Sequence, residues 1–166
     1  MDIYTLIIMG HVIGAILGTG GATIAEVQIN IALKDKQVDQ SERALMHANY
    51  WVIRVGMGII LLSVIGMFWY HLSAGNLWIL TSEKLWIKDV MFIAIFVNAI
   101  LLTKRLVPLW LGASISFTSW WGATLLGLAK GLSLSFETYL IGYTAAIFIV
   151  AGILHLIRRA MMNRSV

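Results

Sequence analysis

Hydrophobic positions along this chain gather into five long blocks, at about 3–33, 43–73, 84–105, 108–129 and 136–159. Each reaches the roughly 20 apolar residues that a helix needs to cross a hydrocarbon core. The connections between them are short. In "KDKQVDQSER", Asp39 and Glu42 have capping-box spacing for the start of a second helix. "SAGNLWILTSE" reads as an interfacial loop with a tryptophan, and "KGLSLS" separates the last two blocks. Pro108 parts the third block from the fourth, because it cannot continue a helical hydrogen-bond ladder. The pattern predicts a single all-α domain over residues 1–166, an integral membrane bundle of about five transmembrane helices with no internal repeat.

Composition sharpens this picture. Of the 166 residues, 60% are hydrophobic and 12% charged, where an ordinary soluble domain carries about 25% charge. The net charge is +4, but the basic residues sit at block ends and form no stripe interleaved with exposed aromatics, which argues for topology and against a nucleic-acid partner. Lys34, Lys36, Arg43, Lys104, Arg105, Arg158, Arg159 and Arg164 fall on one side, and Lys84, Lys88 and Lys130 on the other. That asymmetry predicts an N-terminus outside and a C-terminus in the cytoplasm. "MDIYTL" carries an acid where a signal peptide has a basic region, and no A-x-A-like site follows, so the first block reads as a retained helix.

Cysteine is absent, which excludes disulfides, thiolate metal sites and a covalently attached c-type haem, and leaves four histidines as the main candidate ligands. Counting from the block ends puts His11 and His71 in the outer half, and His47 and His155 in the inner half. Imidazoles on facing helices at one depth are what a non-covalent haem b requires. His47 and His71 share one helix, roughly 36 Å apart by helical rise, so one haem on the outer pair is favoured over two. His11 carries the most weight, because an ionisable residue inside an apolar run is functional by default.

The stretch "MGHVIGAILGTGGATIAE" places Gly14, Gly18, Gly21 and Ala25 on the same helical face as His11. A flat macrocycle could lie on that side-chain-free groove; close helix packing explains the same glycines. "EKLWIKDVMF" brings Lys88 and Asp89 to the outer depth, where they could pair with a haem propionate or relay protons, or where the lysine simply snorkels. On the inner side, Glu26 and Arg54 fall at similar depths and are expected to form an interhelical ion pair. Asn98, Thr118, Ser119 and Thr124 offer hydrogen bonds between helices. Trp69, Trp78 and Trp86 form an outer aromatic belt, and "SWW" at 119–121 could wall a porphyrin or quinone pocket or simply pack. H-E-x-x-H, G-x-S-x-G, P-loop and dinucleotide fingerprints are missing, so hydrolase, ATPase and nicotinamide-enzyme readings have no support.

"YTLIIMGHVIGAILGTGG" resembles the first membrane helix of HemJ-type and CopD-type bacterial proteins, and "LWIKDVMFIAIFVNAILL" resembles the HemJ segment in which a Trp and a Lys open a later helix that ends before a proline. The chain departs from that pattern at "KRLVP", where those proteins carry an Asn-Glu pair, and it lacks the His that neighbours their lysine. The resemblance implies a bacterial inner-membrane protein that binds haem b, with His11 as first axial ligand, Lys88 in the working site and Trp86 beside the cofactor. Residues and resemblance together predict His11 and His71 as iron ligands, with His47 and His155 as a second possible pair. Gly14, Gly18 and Gly21 would cradle the macrocycle, and Lys88 and Asp89 would tune it. The expected function is electron transfer, or oxidation of a small hydrophobic substrate, with a quinone or redox partner and possible self-association. Two rivals stand beside it: a proton- or ion-coupled transporter or channel using Glu26, Arg54, Lys88 and Asp89, and a non-catalytic scaffold of a larger membrane complex.

Overall fold

The computed structural model describes residues 1–34 and 38–163. Its helices, in chain order, are α1 (Ile3–Lys34), α2 (Gln40–Ser73), α3 (Trp78–Thr81), α4 (Glu83–Thr103), α5 (Leu109–Leu128) and α6 (Phe136–Asn163), with no strand among the described residues. Five long helices thus occupy the five apolar blocks, and the loop before α4 holds the additional single turn α3. Lys36 and Arg164, counted in the charge asymmetry, lie outside the described residues.

The local signals act where the chain places them. Asp39 accepts a 2.7 Å hydrogen bond from the Glu42 backbone N–H while Glu42 accepts one from the Asp39 N–H, the expected capping box. The Glu42 N–H, and after it the Ser41 hydroxyl, hold the Asp39 carboxyl below the usual aspartate range. With the folded value depressed, this cap contributes above the ordinary aspartate pKa and is lost as pH falls through the lowered one. Helix α2 ends in a Schellman turn, with Gly75 at φ +72 and the Asn76 N–H bonded to the His71 carbonyl. Helix α4 ends in the same turn, but the left-handed position is held by Arg105 at φ 56. Lys84 of α4 donates to the Ala129 carbonyl at the C-terminal end of α5, where a cation complements the helix dipole.

Helices α1, α2, α4 and α6 are each long and apolar enough to cross a membrane. Helix α5 has the length but carries Ser, Thr, Gly and Trp in place of aliphatics, because it packs against α1, α4 and α6 together. It buries Ser114, Thr118, Ser119 and Trp120 inward. Helix α2 lies at the edge, packed chiefly on α1. One core cluster joins α1, α2, α4 and α5 through Ala22, Ile60, Ile95 and Trp120; a second joins α4 and α6 through Ile87, Met91, Tyr139 and Tyr143. Outward positions on the long helices are aliphatic or aromatic, Leu62, Ile141 and Phe148 among them.

Glycine sets how closely α1 and α2 approach. A Cβ on Gly56 would lie 3.0 Å from the Gly14 carbonyl oxygen and 3.0 Å from the Gly18 nitrogen. A Cβ on Gly18 would stand 2.1 Å from the indole of Trp120, while one on Gly20 would meet nothing within 4 Å. Gly18→Ala is therefore expected to destabilise the protein by about 1–3 kcal/mol through forced repacking. Gly20→Ala should be neutral or stabilising by up to about 1 kcal/mol. Thermal unfolding of both in one detergent checks the contrast, and equal effects would refute the packing role of Gly18. By the same method, Arg105→Gly should raise stability by about 1 kcal/mol, because glycine carries no penalty in the left-handed region.

Candidate functional site

The antiparallel register of α1 on α2 decides which outer residues meet. The Tyr4 hydroxyl lies 3.1 Å from His71 Nε2, His11 Nδ1 lies 3.0 Å from Ser63 Oγ, and Gly14 abuts Ile60. His11 thus faces Ser63, while His71 faces Tyr4, seven residues away along α1. Seven residues are roughly 10 Å of helix. His11 and His71 therefore stand at different levels, and the structure does not bring the expected ligand pair to one iron.

His71 is enclosed by aromatics. Its ring makes edge contacts with Tyr4, Tyr70 and Trp78 at centroid distances of 5.4, 5.8 and 5.3 Å. Nδ1 is buried without a hydrogen-bond partner among the described residues. Its neighbours pin α3 and the start of α1 to the end of α2, a structural role for a residue expected to bind iron.

The groove beneath His11 is filled. Positions that a Cβ would occupy on Gly14, Gly18 and Gly21 are taken by Ile60, by the Trp120 indole and by Ile53, in that order. Trp120 is only 3% exposed, so the first tryptophan of "SWW" seals the groove and walls no open pocket. Trp121 instead donates from Nε1 to Thr23 Oγ1 at 3.1 Å. Haem b, which the resemblance implies, does not fit this face: no flat surface remains, and the second imidazole is a helix segment away. Trp86 is also elsewhere, donating from Nε1 to the Leu80 carbonyl and resting on Phe136. It is two residues from Lys88 and so turned roughly 200° around α4 from it.

His47 and His155, the second possible pair, are both exposed, and their helices do not form a packed pair. His47 rests edge-on against Trp51. Among the described residues, no three His, Asp or Glu side chains converge in a group able to hold a metal ion.

The charge of Lys88, half-buried on α4, lies within electrostatic range of His11, with no hydrogen bond between the two. It makes no ion pair within 4.0 Å among the described residues, although Asp89 and Lys84 also act on it electrostatically. Asp89 itself points to the exposed side. Ser63, which the sequence reading did not single out, completes the site. Its hydroxyl donates to the Ile60 carbonyl at 2.8 Å and is thereby left to accept from His11 Nδ1–H. That chain holds the imidazole in one orientation and leaves the Nε2 lone pair unengaged. A serine in apolar "IILLSVIG" was the available signal, but only with the helix register in hand.

Toward the end of the bundle where α1 runs into α2, the expected Glu26–Arg54 pair does not form. Glu26 Oε2 accepts a 2.9 Å bond from Arg158 Nη2 of α6, in a pair whose side chains are 8% and 11% exposed. The glycine contacts fix the α1–α2 register so that Arg54 stands near residue 20 of α1, well short of Glu26. Arg54 is stacked on Tyr50 instead, 4.3 Å from the ring centroid. Three of the four neutral polar residues make the expected interhelical bonds: Thr124 with Thr19 at 2.8 Å, Asn98 Nδ2 to the Gly112 carbonyl at 2.7 Å, and Ser119 with Tyr143 at 2.7 Å. The fourth, Thr118, has its hydroxyl buried without a hydrogen-bond partner among the described residues.

Compared with known protein families, with characterised proteins and with solved structures, the chain finds no match in any of the three. The likeness to HemJ-type and CopD-type proteins rests on the quoted motifs alone.

The ion-pair assignment separates two arginines experimentally. Glu26→Gln strands the Arg158 guanidinium and is expected to cost about 3–5 kcal/mol, the range for breaking a buried pair. Arg54→Gln, on an exposed position, should stay within about 0.5 kcal/mol of wild type. Equal losses for the two in thermal unfolding would contradict the assignment.

Proposed function

We propose that the chain spans a bacterial cytoplasmic membrane with five helices, N-terminus outside and C-terminus inside, and that it carries protons, alone or coupled to a small ion, through a site centred on His11, Ser63 and Lys88. The single observation that carries this reading is the hydrogen-bonded His11–Ser63 pair inside the bundle, within electrostatic range of a lysine that has no ion-paired carboxylate among the described residues. An ionisable pair in an apolar bundle is a functional hypothesis by default. Helix α5 supplies the fifth span: its 20 residues reach roughly 30 Å, and its polar side chains turn inward.

The chemistry follows from the atoms. His11 donates from Nδ1 to Ser63, so an arriving proton is taken at Nε2. The imidazolium then has two N–H donors, one held by Ser63 and one free to pass its proton on. Lys88 and His11 sense each other's charge, so gain of a proton at one site favours release at the other. The filled glycine face and the separated histidines weigh against electron transfer through haem, and the polar site fits the transporter alternative.

Reconstituted liposomes with an entrapped pH-sensitive dye test this. An imposed potential should drive proton entry, and His11→Ala and Lys88→Gln should each lower the initial rate by about a hundredfold, the scale of losing a positioned proton-transfer group. Ser63→Ala, which frees the ring to rotate, should have a smaller effect, about tenfold. A Soret band in protein from haem-replete cells, abolished by His11→Ala, would overturn the reading in favour of haem. Flux unchanged by both substitutions would overturn it as well.

A further inference from the structure

A groove runs between α2 and α4 on the inner half of the molecule, with a polar end and an apolar length. Arg54 and Lys104 stand at one end, where α4 terminates, and Leu61, Phe92 and Phe96 line the run toward the middle of the bundle. Gly58 keeps its floor open, since a Cβ there would meet nothing within 4 Å. No aspartate or glutamate lines it.

Two facts already described give this groove its character. Arg158 takes Glu26, so Arg54 has no carboxylate partner within 4.0 Å among the described residues. The Arg54 guanidinium is nonetheless held in place, 4.3 Å from the Tyr50 ring centroid and 5.8 Å from that of Trp51. A stacked guanidinium keeps its N–H fork for a planar or tetrahedral oxyanion, and a nearby ammonium adds a second charge to the same end.

We propose that this groove is a binding site for an acidic phospholipid, with its phosphate between Arg54 and Lys104 and an acyl chain laid along Leu61, Phe92 and Phe96. Charge selects the occupant. Two cations with no lining carboxylate favour a lipid of net negative charge and offer nothing to the amine of a zwitterionic one. The depth order selects a lipid over a soluble anion, because the charged end sits at the termination of α4 and the apolar length extends inward from it. The proposal rests on the membrane-spanning part of the reading above and is independent of proton movement.

Native mass spectrometry of the full chain, released from nanodiscs of equal phosphatidylglycerol and phosphatidylcholine, tests it. Wild type should retain phosphatidylglycerol selectively. The double variant Arg54→Gln, Lys104→Gln should reduce that retention by about tenfold or more, since both cations that would face the lipid phosphate are lost. Gly58→Leu, which fills the floor and keeps both charges, should lower it as well, and it guards against a folding defect in the double variant. Arg159→Gln, an exposed inner-side charge outside the groove, should leave retention unchanged. Equal retention of the two lipids, or wild-type retention in both groove variants, overturns the proposal.

Discussion

The contact between the backbones of α1 and α2 at Gly14, Gly18 and Gly56 is what the rest of the molecule is arranged around. With carbonyl oxygens and amide nitrogens meeting where side chains would otherwise stand, the two helices can neither slide nor rotate without a clash. That lock fixes the register. The register in turn places His11 opposite Ser63, His71 opposite Tyr4, and Arg54 beyond the reach of Glu26. Each functional assignment therefore inherits its geometry from a few missing methyl groups.

Polar groups then tie the remaining helices to this pair. Thr19 with Thr124 and Thr23 with Trp121 join α1 to α5; Ser119 with Tyr143 joins α5 to α6; Glu26 with Arg158 joins α6 back to α1. In an apolar surrounding, a lone hydroxyl or charge is costly, so these pairs hold their partners on neighbouring helices in place. Apolar packing alone would leave these helices free to choose among several rotations. The hydrogen bonds select one.

Most of the architecture was legible in the amino-acid order. Block lengths, the Asp39–Glu42 cap and Pro108 mark the helices to within a few residues, because these signals act locally. The site was legible in part. His11 and Lys88 stand out as ionisable groups within apolar runs, and they lie within electrostatic range of each other. What sorting residues into an outer and an inner half could not convey is depth to within a turn: it treated His11 and His71 as equals, although His71 lies at the very end of α2 and His11 two turns into α1. The same coarse depth misassigned Glu26 to Arg54, which lies nearer the middle of its helix. Nor could Gly14, Gly18 and Gly21 say what fills their groove, since any flat or complementary surface satisfies a row of missing side chains; here it is Ile60, Trp120 and Ile53. Trp120 lies more than a hundred residues from Gly18 in sequence, and no local pattern links them.

Trp120 closes the notch at Gly18 and, in doing so, joins two sub-assemblies of unequal build. Helix α2 packs chiefly on α1, whereas α4, α5 and α6 pack on one another, and the indole sits where the two groups touch. The hairpin of α1 and α2 makes most of its contacts within itself, and it is tied to the other three through the Trp120 wedge, the apolar cluster around it, a few hydrogen bonds and the Glu26–Arg158 ion pair. During biosynthesis such a hairpin can assemble as soon as it emerges, well before its neighbours exist. The contacts that set its place among the other helices, the Trp120 indole at Gly18 and Arg158 at Glu26, are supplied only by the later helices α5 and α6.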